Sequence, residues 1–173
     1  MPTITAALAA FERHLGFPQS RSRTIARRLQ EAGILPLGSS GSKPEINDDG
    51  FIALFLALAG DTTLHEAAPR VDRLFAMTPG GASLEGAPAS IPTARRSLLD
   101  LIETALVDED LPTAIEVVSN FDELAITWPG EIVERFQPTG AIAGHWQVTS
   151  HRRACIVTGS AFAKAIRATF SRI

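Results

Sequence analysis

The chain has 173 residues, 45% of them apolar, a formal net charge of −3 and one cysteine. That length and composition predict a folded, soluble protein of one ordinary domain or two small ones, and they exclude a disulfide framework or a cysteine-cluster zinc site. No run of 18 apolar residues occurs, and the opening MPTITAALAAFERHLG has neither the basic start nor the cleavage-like end of a secretory signal, so a cytoplasmic location with no membrane partner is expected.

The first predicted element is a helix over Thr3 to Leu15, where Ile4, Leu8, Phe11 and Leu15 recur at offsets of four, three and four, the spacing of one helix face. Gly16 ends it, and the short connector Gly16-Phe17-Pro18-Gln19 leads to Ser20, a residue suited to cap the next helix. That second helix, SRSRTIARRLQEAG from Ser20 to Gly33, carries Ile25, Leu29 and Ala32 in one narrow sector, with Ser20, Arg23, Arg27 and Glu31 opposite. Arg21, Thr24 and Arg28 flank the polar sector. Four arginines precede the first acid of this helix. A guanidinium fork fits guanine edges bidentately, and Ser and Thr make close phosphate or base contacts. The alternative is a solvated charged face. Helix, tight turn and exposed second helix together read as a helix-turn-helix.

Residues 33 to 46, GILPLGSSGSKPEI, pass from an apolar run through a Gly/Ser loop and back to Ile46, as a small hairpin wing would, with Lys43 set against DNA phosphate. The GSSGSK run lacks phosphate-loop spacing, and Pro44 follows the lysine where a helix should begin. Asn47 then caps a third helix whose Phe51, Leu54, Phe55 and Leu58 predict the centre of a core. Thr63 and Glu66 have capping-box spacing ahead of a fourth helix through Val71, Leu74 and Phe75.

Residues 78–92, TPGGASLEGAPASIP, are rich in Gly, Pro and Ala without periodicity, and predict a linker between an N-terminal unit, 1–77, and a C-terminal unit, 93–173. A helix follows from Thr93 to Leu106. Beyond Ala114 the period shortens to the β-rich runs AIEVVS, LAITW, EIVERF, HWQVTS and ACIVT, which predict an antiparallel sheet. A last helix from Ser160 carries Phe162, Ile166 and Phe170 on one stripe. The fold class expected is therefore α+β: an all-α winged helix-turn-helix domain followed by a small sheet with flanking helices.

Charge is distributed unevenly along this order. Residues 1–44 carry six Lys/Arg against two acids, 45–136 carry five against seventeen, and 137–173 carry five against none. Screening confines exposed charges to roughly 8–10 Å, so a local basic face matters for phosphate binding even on an acidic chain. The basic tail can touch flanking DNA or face the acidic middle, and the second is preferred.

Groups for catalysis or metal binding are sparse. His65-Glu66 has no second His at helical spacing, and His145 and His151 have no nearby acid to complete a metal set. Asp108-Glu109-Asp110 is most simply a solvated turn, and Cys155 between apolar neighbours reads as an inert thiol. Neither a Gly-x-Ser-x-Gly elbow nor a supported Cys/His pair occurs. No catalytic residue, metal or cofactor is expected.

The run ARRLQEAGILPLGSSGSKPEINDDGFIALFLALAG, with a basic helix ending at Gly33, a Gly/Ser loop and an apolar helix after Asn47, resembles the N-terminal winged-helix region of small DNA-binding proteins of prophages and phage-like elements. The resemblance covers roughly residues 1 to 77 and implies recognition of double-stranded DNA, with Ser20, Arg21, Arg23, Thr24, Arg27 and Arg28 in the binding role. Sequence-specific transcription regulation by a homodimer is the first expectation, with residues 93–173 pairing two copies or contacting the transcription machinery or another protein. A small terminase-like packaging subunit is the second, and a small enzyme or ligand sensor with its site on the C-terminal sheet is the third.

Overall fold

Thr3 starts the first helix by accepting a hydrogen bond from the Ala6 amide at 3.2 Å, as an N-cap threonine does. In the computed structural model, which describes residues 2–38, 42–88, 90–107, 110–141 and 151–171, helix α1 (Ile4–Ala10) runs on through a π-helical turn, Phe11–Leu15. Gly16 ends the turn at φ 74°, a left-handed geometry that costs a side chain strain and glycine nothing. Helix α2 (Gln19–Glu31) starts earlier than expected, with Pro18 rather than Ser20 at the N-cap. Its buried seam is Ser22, Ile25, Ala26 and Leu29.

The segment after α2, expected as a wing, returns to the start of the chain. Leu35 and Ile46 are buried, and residues 44–46 pair with residues 2–4: the Ile4 amide donates to the Pro44 carbonyl at 3.0 Å and the Ile46 amide to the Pro2 carbonyl at 2.8 Å. These bonds satisfy backbone groups next to two buried side chains, Ile4 and Ile46. Residues 39–41, the tip of the expected wing, lie outside the described residues.

Helix α3 (Asp48–Ala59) is capped by Asn47, whose side chain accepts from the Gly50 amide at 2.9 Å. Every residue from Gly50 to Ala59 is buried, the signature of a helix with packing on all sides. Helix α4 (Ala67–Phe75) begins after the predicted capping box, which does not form. The Thr63 hydroxyl lies 3.4 Å from His65 Nδ1, and the Glu66 amide bonds the Thr63 carbonyl.

The sheet is antiparallel, with strand order β1-β4-β3-β2-β5: β1 (Thr78–Pro79), β2 (Ala114–Val118), β3 (Leu124–Trp128), β4 (Ile132–Gln137) and β5 (Ala154–Thr158). Helix α5 (Ala94–Val107) precedes β2, and α6 (Gly159–Phe170) follows β5. Six α-helices and five strands among the described residues make the fold mixed α+β. The predicted strand HWQVTS, residues 145–150, falls outside the described residues. Thr78 pairs with Gln137 and Pro79 with Phe136, so the stretch read as a linker opens inside the sheet. No loop separates β5 from α6, and a Cβ at Gly159 would collide with the Pro112 carbonyl.

One hydrophobic core takes side chains from Ile4 through Ile166. Phe162 of α6 packs at a tilt against Phe55 and Phe51 of α3 at 4.8 and 6.1 Å between ring centroids, and Phe170 edge-on against Phe51 at 5.3 Å. Arg70 of α4, 7% exposed, donates to the carbonyls of Val118 at the end of β2 and of Ser119 and Phe121 in the β2–β3 turn. That core takes side chains from both sides of residues 78–92, the stretch read as a linker, in which Gly80, Gly81 and Gly86 all stand at positive φ.

Candidate functional site

Helix α2 rests on α1, α3 and α4 through its seam and leaves its other side uncovered. Ser20, Arg23, Thr24, Arg27 and Arg28 are exposed, and Arg21 is half-exposed. This is the face that the sequence pattern assigned to DNA, and five of its six residues lie fully on the surface. The pattern located it because burial on one side of a helix is written in the apolar period.

The arginines are not idle on that surface. Arg27 Nε lies 3.0 Å from Glu31 Oε1, and Arg28 Nη1 lies 2.7 Å from Glu31 Oε2. These two guanidiniums, Arg28 first, hold the Glu31 carboxyl below its ordinary range. Arg23 donates to the Gln19 side chain. The Thr24 hydroxyl donates to the Ser20 carbonyl at 3.0 Å. Arg21 turns away from the others, donating through Nη2 to Asp61 Oδ1 at 2.9 Å and to the Thr62 carbonyl at 3.1 Å. Lys43 is exposed beside the segment that pairs with residues 2–4, and the tip of the expected wing, residues 39–41, lies outside the described residues.

Within α2 four guanidiniums stand against one carboxylate, and the pairs they form are open to solvent: the Arg27 side chain is 81% exposed. Exposed pairs of this kind contribute only about 0–1 kcal/mol each. A polyanion carrying one charge per ~1.7 Å can displace them, because each new phosphate contact releases condensed counterions.

The C-terminal basic residues behave differently. Arg152 contacts Glu116 at 3.0 Å and Glu123 at 2.7 Å, and Arg153 reaches Asp61 at 3.8 Å, so this part of the tail faces the acidic middle, as preferred from the sequence. Two clusters escaped the sequence pattern. Glu123, fully buried, accepts from Arg135, from Gln137 Nε2 at 2.9 Å and from Arg152. Asp61 joins Arg21 to Arg153, which stand 132 residues apart in sequence. No local spacing signals either, because the partners arrive from different elements.

Among the described residues no group of three His, Cys, Asp or Glu side chains is placed to hold a metal ion. His145 lies outside those residues, and His65 is exposed beside Glu66 at 3.8 Å. No helix among them is long and apolar enough to cross a membrane. Cys155 is half-buried, and burial, with Asp61 adding to it, pushes its thiol up. In comparisons with known proteins the chain matches no protein-family model, no curated protein and no solved structure.

Proposed function

We propose that the chain is a sequence-specific DNA-binding transcription regulator whose reading surface is the exposed face of α2. The observation that supports this is the one-sided packing of the helix: Ile25, Ala26 and Leu29 are buried while Arg23, Thr24, Arg27 and Arg28 are exposed. A helix of 13 residues is about 20 Å long, enough to span a major groove. Arg23 and Arg27 lie one turn apart opposite the seam, so they are the residues for base edges. Ser20, Thr24 and Arg28 take the phosphates, with Arg21 exchanging Asp61 for phosphate at the helix start.

One such helix reads few base pairs, and a symmetric pair spaced by ~34–36 Å supplies the remaining specificity. Strand β5 ends the sheet, and among the described residues nothing pairs with its outer edge. A homodimer through residues 93–173 fits that arrangement.

Gel shifts on genomic fragments, followed by footprinting of the bound site, test the reading. Arg23→Ala and Arg27→Ala should each cost ~1–3 kcal/mol at the matched site and erase sequence preference. Arg28→Ala should weaken binding to all DNA and shallow the salt dependence by about one unit. Glu31→Gln should strengthen binding, since it releases Arg27 and Arg28 without altering the packed seam. Parent-like binding by all four variants overturns the assignment. Light scattering should give twice the chain mass, whereas a ring of eight or more copies favours a packaging subunit over a regulator.

A further inference from the structure

A cleft of about 320 Å³ opens between the start of α2, the end of α3 and the start of β5. Its apolar lining includes Phe17, Leu58, Ala59 and Cys155, and its rim carries Arg21, Asp61 and Arg153. Leu58 and Ala59 are buried, while the side chains of Arg21 and Arg153 are 41% and 66% exposed. The site is therefore greasy at its base and charged at its mouth, the arrangement of small-molecule pockets, whose volumes begin at roughly 300 Å³.

Asp61 is the informative residue. It follows Gly60 at the end of α3 with φ 47°, the left-handed position where helices usually place glycine or asparagine. A side chain there strains the backbone, and this one is engaged on both oxygens. Arg21 Nη2 lies 2.9 Å from Oδ1 and Arg153 Nη2 lies 3.8 Å from Oδ2. Two guanidiniums thus share one carboxylate, the only acid lining the cleft among the described residues, and one positive charge is left over among them at its mouth.

We propose that this cleft binds a small organic monocarboxylate with a compact apolar body, of the class of aryl or branched-alkyl acids. The carboxylate sits between Arg21 and Arg153, where planar guanidinium forks match its geometry. The apolar body rests on Phe17, Leu58, Ala59 and Cys155. A single negative charge neutralises the surplus, while a dianion would exceed it. The site stands on its own geometry and does not depend on α2 reading DNA.

Backbone amide NMR of the full chain, titrated with benzoate, 3-phenylpropionate and 3-methylbutanoate, tests it. At least one acid should give saturable shifts at Ala59, Ser119, Ala154 and Cys155 by about 10 mM, a range in which a ligand with Kd of ~1 mM is nearly saturating. Neutral benzamide should bind at least about tenfold more weakly than benzoate, because it forfeits the charge-assisted bonds. Arg153→Ala should weaken the bound acid about tenfold. Asp61→Asn should tighten it, since asparagine tolerates the left-handed backbone and leaves both guanidiniums to the ligand. Saturable shifts with none of the three acids, benzamide binding as well as benzoate, or affinities unchanged in both variants would each overturn the proposal.

Discussion

Glu123 is fully buried yet ionised, and its neighbours explain why. Burial pushes the carboxyl up, but hydrogen bonds from Arg152, Gln137 and Arg135 outweigh that and hold it below its ordinary range. A carboxyl that binds its proton more weakly when folded stabilises the fold above its unfolded pKa of about 4.3, and the contribution fades as pH falls through the lower folded value. Glu123→Gln should therefore cost ~2–4 kcal/mol at neutral pH, somewhat under the fully buried case because Arg135 is one-third exposed. It should also flatten the loss of stability below about pH 4.3. Urea midpoints of parent and variant at pH 7 and pH 4 check both expectations, and equal midpoints at pH 7 would remove the cluster from the account of stability. Nothing in the run SNFDEL distinguishes this residue from a solvated turn acid. Its partners come from β4 and from the residue pair before β5, and a local pattern does not report contacts of that range.

At the scale of elements, α2 separates stability from function cleanly. Its attachment rests on Ile25 and Leu29, both fully buried, whereas the arginines opposite make exposed pairs. Leu29→Ala should cost ~2–5 kcal/mol through lost burial and the cavity left behind. Arg27→Ala should stay within ~0.5 kcal/mol of the parent. Thermal or urea denaturation of the two variants checks the contrast, and a large loss in Arg27→Ala would mean that the polar face holds the fold as well. The same period that exposes this face made α2, α3, α5 and α6 legible, and alternation with turn residues made β2, β3, β4 and β5 legible. The capping box was misread because it rests on two short polar side chains that found other partners: the Thr63 hydroxyl lies beside His65, and the Glu66 amide bonds the Thr63 carbonyl. Of the GSSGSK run read as a wing, residues 39–41 lie outside the described residues, and the residues after it, 44–46, pair with residues 2–4. The cleft beside α2 was not legible either, since Asp61, Arg21 and Arg153 meet only when three elements pack.

For the whole molecule, the uneven charge of the sequence resolves into pairing across it. Arg21 and Arg153, from the two basic ends, both meet Asp61 of the acidic middle, and Arg152 meets Glu116 and Glu123. The core shows the same interdependence. Helix α6 lies against α1 and supplies Phe162 and Phe170 to the rings of α3, while Arg70 ties α4 to the β2–β3 turn. Removing residues 78–173 would strip those partners from Phe51 and Phe55, each fully buried in the intact chain. At roughly 25 cal/mol per Å² of apolar surface, two newly exposed phenylalanines alone forfeit about 3–6 kcal/mol, a large part of the ~5–15 kcal/mol that holds an ordinary domain together. The fragment 1–77 should therefore keep some helical signal but lose cooperative unfolding and near-ultraviolet dichroism, while the full chain shows both. If the fragment instead melts cooperatively near the temperature of the full chain, helices α1 to α4 hold a sufficient core by themselves, and residues 78–92 act as the linker their composition suggests.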